Sequence, residues 1–323
     1  MAILNLLDLQ PTTISRDLSD KYILIYGKAK VGKTTFASKI PNNLLFCFEK
    51  GVNFLPGVYA VDVPKWSTFK ALLKQLQKDE VKTKYHTITI DTVSLAWELC
   101  SQFICQQNDI NTLGDLPYGK GYDLARKEFS NTLREITMLG YGVILIAHCK
   151  IQNESFGDDS VIEKVSLQLP NAALQVVNPL VDIIGYIKQN WDENGNSTRT
   201  LITRATPDIV AGSRLKYLAP EIPFGYDELV KAINEAVDKE ASIDHAGIVD
   251  KTQTQDIIIK RPFSETVAEA RGLWEKLVSA DKNNVERILE KSNNLFGTPL
   301  RLSEIPESKQ DLFEVLIEEM KQM

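Results

Sequence analysis

The sequence predicts an α/β fold, with a mostly parallel central sheet flanked by helices and a small C-terminal helical module. Three observations carry this. Short apolar runs alternate with helical periodicity through the first two thirds of the 323 residues, the pattern of buried parallel strands with crossover helices. A glycine-containing loop joins the first apolar run to the first helical stretch. Beyond residue 262, apolar residues recur at helical spacing.

The apolar runs are Tyr22 to Tyr26, Leu44 to Phe48, Thr87 to Ile90, Gly142 to Ala147 and Val181 to Ile187, with Thr200 to Thr203 following. Helices are expected between them at Lys33 to Ile40, stopped by Pro41, at Thr68 to Gln77, and at Tyr122 to Leu139. In the second of these, Phe69, Leu72, Leu73 and Leu76 share one face. A helix from about Asp227 to Lys239 closes the core, so the first domain is read as residues 1–241. The stretch 242–262 is mixed and polar apart from Ile257 to Ile259, and it reads as a linker. In 263–323, Trp274, Leu277 and Val278, then Val285, Ile288 and Leu289, then Leu312, Val315, Leu316 and Met320 predict three short helices around one small core. Pro306, followed by Ser308 and Asp311, marks a helix start.

Hydrophobic content of 43% with 25% charged residues is that of a globular chain with a real core. The net charge of −6 excludes a protein that coats duplex DNA over its whole surface, so any nucleic-acid contact must be local. The four cysteines, Cys47, Cys100, Cys105 and Cys149, form no CxxC pair, and only three histidines accompany them. Buried thiols in a reducing cytosol are expected. Met1 to Leu9 has no basic leader, and no run of about 18 apolar residues occurs, so a cytoplasmic protein without membrane contact is expected.

Gly27-Lys28-Ala29-Lys30-Val31-Gly32-Lys33-Thr34 fits GxxxxGK[ST], directly after a strand and directly before a helix. Glycine is required where main chain wraps a phosphate, because inward-pointing amides leave no room for a Cβ. Lys33 is expected on the β- and γ-phosphates, and the Thr34 hydroxyl on Mg²⁺, with Thr35 completing the loop. The cofactors implied are ATP and Mg²⁺. Asp91, ending the run Thr87 to Ile90, is the second candidate metal-binding residue.

Residue 92 is threonine, so the paired Asp-Glu of many P-loop ATPases is absent and the catalytic base must come from elsewhere. Glu49 ends the second strand. A parallel strand beside the P-loop strand would carry its carboxylate to the nucleotide edge of the sheet, where it could polarise the attacking water. His148 ends the fourth strand at that same edge and is the candidate γ-phosphate sensor, coupled to the segment Cys149 to Val177.

These residues together resemble the phage-encoded RecA-like core ATPases of the Sak type, which are linked to single-strand annealing and recombination. The resemblance spans Lys21 to Tyr226 and rests on Tyr26 to Thr35, Phe48-Glu49, Ile90-Asp91, Tyr118-Gly-Lys-Gly-Tyr122, Ala147-His-Cys-Lys150, and Leu169-Pro170 before Val181-Asp-Ile. It implies a RecA-like core, Glu49 as the activating carboxylate and His148 at the polar sensor position. It also implies that Gln106 to Gly121 and Cys149 to Val177 face single-stranded DNA, with Tyr118, Tyr122 and Phe156 available to stack on bases. RecA-like cores assemble head to tail into rings or filaments, which makes Arg204 or Arg214 a candidate finger reaching the neighbour's γ-phosphate. The C-terminal helices are expected to bind a partner or serve assembly.

Two other readings compete. A partition-type ATPase switch acting on protein partners is suggested by Lys28, five residues before Lys33, although Ala29 and Lys30 replace that loop's usual glycine pair. A small-molecule kinase would need an arginine-rich lid, and between Gly121 and Val177 only Arg126 and Arg134 occur, on an expected helix.

Overall fold

The structure, a computed structural model, describes residues 13–156, 160–249 and 262–323. In chain order the first unit runs through β1 (Ile14–Ser15), β2 (Tyr22–Gly27), α1 (Lys33–Ala37), β3 (Asn43–Cys47), β4 (Tyr59–Asp62), α2 (Trp66–Leu76), α3 (Asp79–Lys84), β5 (Thr87–Asp91), α4 (Val93–Gln107) and α5 (Lys120–Met138). It continues with β6 (Gly142–Phe156), β7 (Ser160–Leu167), α6 (Asn171–Leu180), β8 (Ile183–Trp191), β9 (Ser197–Ile202), β10 (Gly212–Ser213), β11 (Glu221–Pro223), α7 (Tyr226–Asp244) and β12 (Ile248–Val249). The second unit holds α8 (Phe263–Ala280), α9 (Asn284–Phe296) and α10 (Gln310–Lys321).

The alternation of side chains along β2 decides the layering. Leu24 and Tyr26 join a core with Phe69 of α2, Trp97 of α4 and Phe129 of α5. Ile23 and Ile25 face the opposite way, toward Phe36 of α1 and Ile233 and Val237 of α7. Both sets are buried, which explains why the strand reads as a continuous apolar run. Burying an aliphatic side chain of this size stabilises the fold by about 1.5–3 kcal/mol. The result is a mixed α/β domain with helices on both faces of one sheet.

The sheet order is β11-β9-β8-β2-β6-β5-β3-β4, with β10 joined to β8 and β7 to β6. From β8 to β4 the neighbours run parallel, so their carboxyl ends share one edge. Strand β9 returns antiparallel to β8. Strand β3, which leads to Glu49, is not beside the P-loop strand as the sequence reading expected, because β6 and β5 lie between them. Of those two intervening strands β5 ends in Asp91 and β6 carries His148 level with Gly27, so the carboxyl edge brings all of these residues into one row.

Helix α7 runs on to Asp244, and Ile248–Val249 pairs in parallel with Ile14–Ser15. Residues 242–244 and 248–249, read as linker from the sequence, therefore belong to the first unit, and the two units divide between Thr254 and Gln255. The run Ile257 to Ile259 and the start, Met1 to Leu9, lie outside the described residues. In the second unit Ala270, Ile288, Phe313, Leu316, Ile317 and Met320 are buried together, so its three helices share one core.

Candidate functional site

Strand β2 ends at Gly27 and α1 begins at Lys33, and the chain between them turns through left-handed backbone at Lys30 (φ 62°) and Gly32 (φ 101°). Backbone that alternates handedness in this way aims successive N–H groups into one concavity suited to an anion. Gly32 is required by its backbone, because L side chains avoid its φ; a Cβ there would also meet the Arg199 guanidinium, the movable end of a long side chain. Lys28, Ala29 and Lys30 are exposed, Val31 is buried, and Thr35 lies exposed on α1. Helix α1 ends at Ala37, short of the expected Ile40. Its macrodipole is correspondingly small, so the loop amides and Lys33 are left with most of the work on an anion.

Lys33 is 6% exposed, and its ammonium donates to the carbonyls of Gly27 at 3.1 Å and Lys28 at 2.8 Å. Burial lowers its pKa, while the Asp91 carboxylate pulls it back up. The Thr34 hydroxyl donates to Asp91 Oδ2 at 2.6 Å. Burial pushes the Asp91 carboxyl up and Glu49 adds to this, against the Thr34 hydrogen bond and the charge of Lys33. The Asp91 carbonyl accepts from the backbone N–H of Phe48 at 2.7 Å and of Glu49 at 3.3 Å, which fixes the turn after β3 to the end of β5.

His148 joins the two halves. Its Nδ1 lies 3.5 Å from the Lys33 ammonium and its Nε2 3.3 Å from Glu49 Oε2. An ammonium only donates, so Nδ1 accepts and Nε2–H is left to donate to Glu49. Lys33, His148 and Glu49 thus form one hydrogen-bonded line, with Thr34 and Asp91 beside it. Strand β6 continues without interruption from Ala147 through His148 to Phe156, and pairs with β7 as a long hairpin. Much of the segment Cys149 to Val177 is therefore ordered strand and helix rather than loop. In the other segment, 3₁₀ turns at Leu113–Asp115 and Pro117–Gly119 precede α5. Tyr118 is fully exposed and Tyr122 half-exposed; the side chain of Phe156 lies outside what is described.

The two candidate arginine fingers are not brought to this site within the chain. Antiparallel β9 carries Arg204 beyond Ile202, which pairs with Tyr186, toward the amino edge of the sheet. Arg214 is tied down there as well, donating to Asp182 Oδ1 at 3.0 Å and to the Pro179 carbonyl at 2.5 Å. The same reversal delivers Arg199, which sequence reasoning missed, to the P-loop. Its Nη1 donates to the Val31 carbonyl at 3.0 Å. The polar sequence around Arg199 gave no sign of this, because its placement follows from the antiparallel return of β9 on β8, which puts the start of β9 at the carboxyl edge.

The donor set suits a magnesium nucleotide. Lys33 and the loop amides match phosphate oxygens, and Thr34 and Asp91 supply hard oxygen donors. Among the described residues no group of three or more His, Cys, Asp or Glu forms a metal cage. Mg²⁺ is held by one or two protein oxygens together with waters and phosphates, and Thr34 with Asp91 could supply such a pair. The four cysteines are free thiols; Cys47, Cys100 and Cys105 are buried and Cys149 is half-buried. No helix among the described residues is long and apolar enough to cross a membrane.

A protein of Bacillus subtilis (strain 168) described as "SPbeta prophage-derived uncharacterized protein YorG" is 26% identical over 329 residues, covering 97% of each chain. The AAA domain family model matches residues 19–215, more than half of the chain, taking in the loop at Gly27 to Thr34 and the row formed by Glu49, Asp91 and His148. A family match of that extent over a built phosphate loop places the chain in the AAA domain family of P-loop NTPases.

Proposed function

We propose that this protein binds ATP with Mg²⁺ and hydrolyses it to ADP and phosphate, as a phage-type RecA-like ATPase of the Sak kind acting on single-stranded DNA. The observation that carries the chemistry is the line Lys33–His148–Glu49 beside the Thr34–Asp91 pair. Bound magnesium would offset phosphate charge from Thr34 and Asp91. Lys33 neutralises the β- and γ-oxygens, and Glu49 accepts a proton from the water that attacks the γ-phosphorus. His148 senses that event from β6, whose continuation is the β6–β7 hairpin, so nucleotide state has a direct strand connection to a surface segment.

The DNA part of the reading is supported by the order of motifs in the chain, by exposed Tyr118 and Tyr122, and by the prophage origin of the Bacillus relative. Head-to-tail self-association would let Arg204 or Arg214 act on a neighbour's nucleotide. Leu312 and Val315, exposed one turn apart on α10, support a docking role for the C-terminal helices.

The test is ATPase rate with and without single-stranded DNA across a salt series, for the parent, Lys33→Ala and Glu49→Gln. Stimulation by single strands that fades with salt is expected. Lys33→Ala should lose nucleotide binding. A rate indifferent to DNA would remove the recombination reading and favour a switch acting on protein partners.

A further inference from the structure

Arg199 and Val31 are 168 residues apart in the chain, yet the guanidinium caps the P-loop. Two contacts hold the guanidinium and a third fixes the Arg199 backbone. Nη1 donates to the Val31 carbonyl. The guanidinium stands over the Phe224 ring, 5.6 Å from its centroid. The Arg199 carbonyl accepts from the Phe224 N–H at 2.9 Å. Phe224 in turn stacks on Phe36 of α1 with centroids 5.4 Å apart, so this strap grips the first helix as well as the loop.

The consequence follows from peptide geometry. A trans peptide points its C=O and its N–H in opposite directions. Anchoring the Val31 carbonyl on Arg199 therefore turns the Gly32 N–H away from the arginine. In a phosphate loop the affinity comes from amides that already converge before the anion arrives. Gly32 is the residue least able to hold its own orientation, because glycine has the widest choice of backbone conformations.

We propose that Arg199 is a positioning residue for nucleotide binding, acting in cis: it pins the Val31–Gly32 peptide so that the Gly32 N–H is presented to phosphate. This rests on the reading of the loop as a nucleotide site. Arg199 acts on the shared phosphates through the loop, so it serves ATP and ADP alike and contributes to affinity rather than to bond breaking.

The experiment measures ATP and ADP affinity by calorimetry with excess magnesium, together with kcat and KM, for the parent, Arg199→Ala, Arg199→Lys and Phe224→Leu. Arg199→Ala should weaken both nucleotides by roughly tenfold, the effect of one mis-set hydrogen bond to a charged group. Its KM should rise with kcat within about twofold. Arg199→Lys, which keeps a donor for the Val31 carbonyl, should recover part of the affinity. Phe224→Leu, which leaves the arginine but removes the ring beneath it, should give a smaller loss of the same kind, and it stands in should Arg199→Ala not fold. A parent that binds nucleotide while Arg199→Ala binds it equally well overturns the inference alone. Loss of ATP but not ADP affinity, or a fall in kcat with KM unchanged, also overturns it, by placing Arg199 on the γ-phosphate. A parent that binds no nucleotide overturns the reading of the loop itself.

Discussion

The Thr34 hydroxyl donates a hydrogen bond to Asp91 Oδ2 at 2.6 Å, joining the first turn after the P-loop to the end of the strand two places away in the sheet. The pair is buried at the carboxylate end, and Asp91 stays ionised there only against a cost. Burial raises its pKa, so the folded state holds the proton more tightly than the unfolded chain does. Stability then falls as pH rises from the usual aspartate pKa through the raised folded value.

Asp91→Asn should therefore unfold at the same or a higher temperature than the parent at pH 7.5 in the absence of magnesium, with the difference closing toward pH 4. The amide oxygen still accepts from Thr34, so the local geometry survives. The gain in melting temperature that the parent shows with Mg-ATP should be lost in the variant, since the hard anionic donor is gone. Thermal scans with and without Mg-ATP check both halves. An undiminished Mg-ATP shift in Asp91→Asn would remove Asp91 from the metal site.

Glu49 reaches His148 with one carboxylate oxygen and keeps the other face open, its side chain being 41% exposed. Glu49→Gln retains an acceptor for the Nε2–H of His148 but cannot take a proton from water. Nucleotide affinity should change by less than a few fold, while single-turnover phosphate release should slow by about 10²–10⁴-fold, the span of general-base contributions. Turnover at parental rate in this variant would move the base elsewhere.

The parts of this site visible in sequence were those where one strand end determines one position. Strands β2, β5 and the inner half of β6 are buried on both faces, so unbroken apolar runs marked their ends at Gly27, Asp91 and His148. The order of the strands was not visible, and with it went the placement of Glu49 two strands further from the P-loop than expected. Exposed strand leaves no such trace. Residues 151–153 of β6 and Trp191 of β8 are solvent-facing, so polar sequence concealed both hairpins and the return that carries Arg199. The stretch Tyr118 to Tyr122 was legible as a motif but not as a structure. Gly121 is buried at the start of α5, where a Cβ would collide with the Leu113 carbonyl.

A second, half-buried network gives a prediction away from the nucleotide. Glu128 of α5 accepts from Trp66 Nε1 at 2.9 Å and from Lys70 Nζ at 2.8 Å, both on α2. Burial pushes the Glu128 carboxyl up, but the hydrogen bonds from Lys70 and Trp66 outweigh it and hold the pKa below the usual glutamate value. The folded state thus favours the ionised form. This stability is present above the unfolded pKa of glutamate and is lost as pH falls through the folded one. Glu128→Ala should cost about 1–3 kcal/mol at pH 7 by leaving the buried Trp66 N–H without an acceptor. Glu128→Gln should cost less and should converge with the parent in acid, measured by urea unfolding at several pH values. Equal stability of parent and alanine variant at pH 7 would mean that water replaces the carboxylate.

Tyr118 combines a left-handed backbone (φ 56°) with a ring that is fully exposed among the described residues. For an aromatic residue that backbone costs roughly 1–2 kcal/mol, and no burial of the ring offsets it. Tyr118→Gly removes the strain, although glycine also loses more entropy on folding, so the net gain should be about 0.5–1 kcal/mol. Base stacking on a ring is worth about 1–3 kcal/mol per base. If Tyr118 stacks on single strands, the same variant should therefore need roughly 5- to 150-fold more DNA for half-maximal ATPase stimulation, with the rate in the absence of DNA unchanged. Stability rising while DNA response falls is the signature of a residue kept for contact rather than for folding. A more stable protein with an unaltered DNA response would take Tyr118 out of the interface.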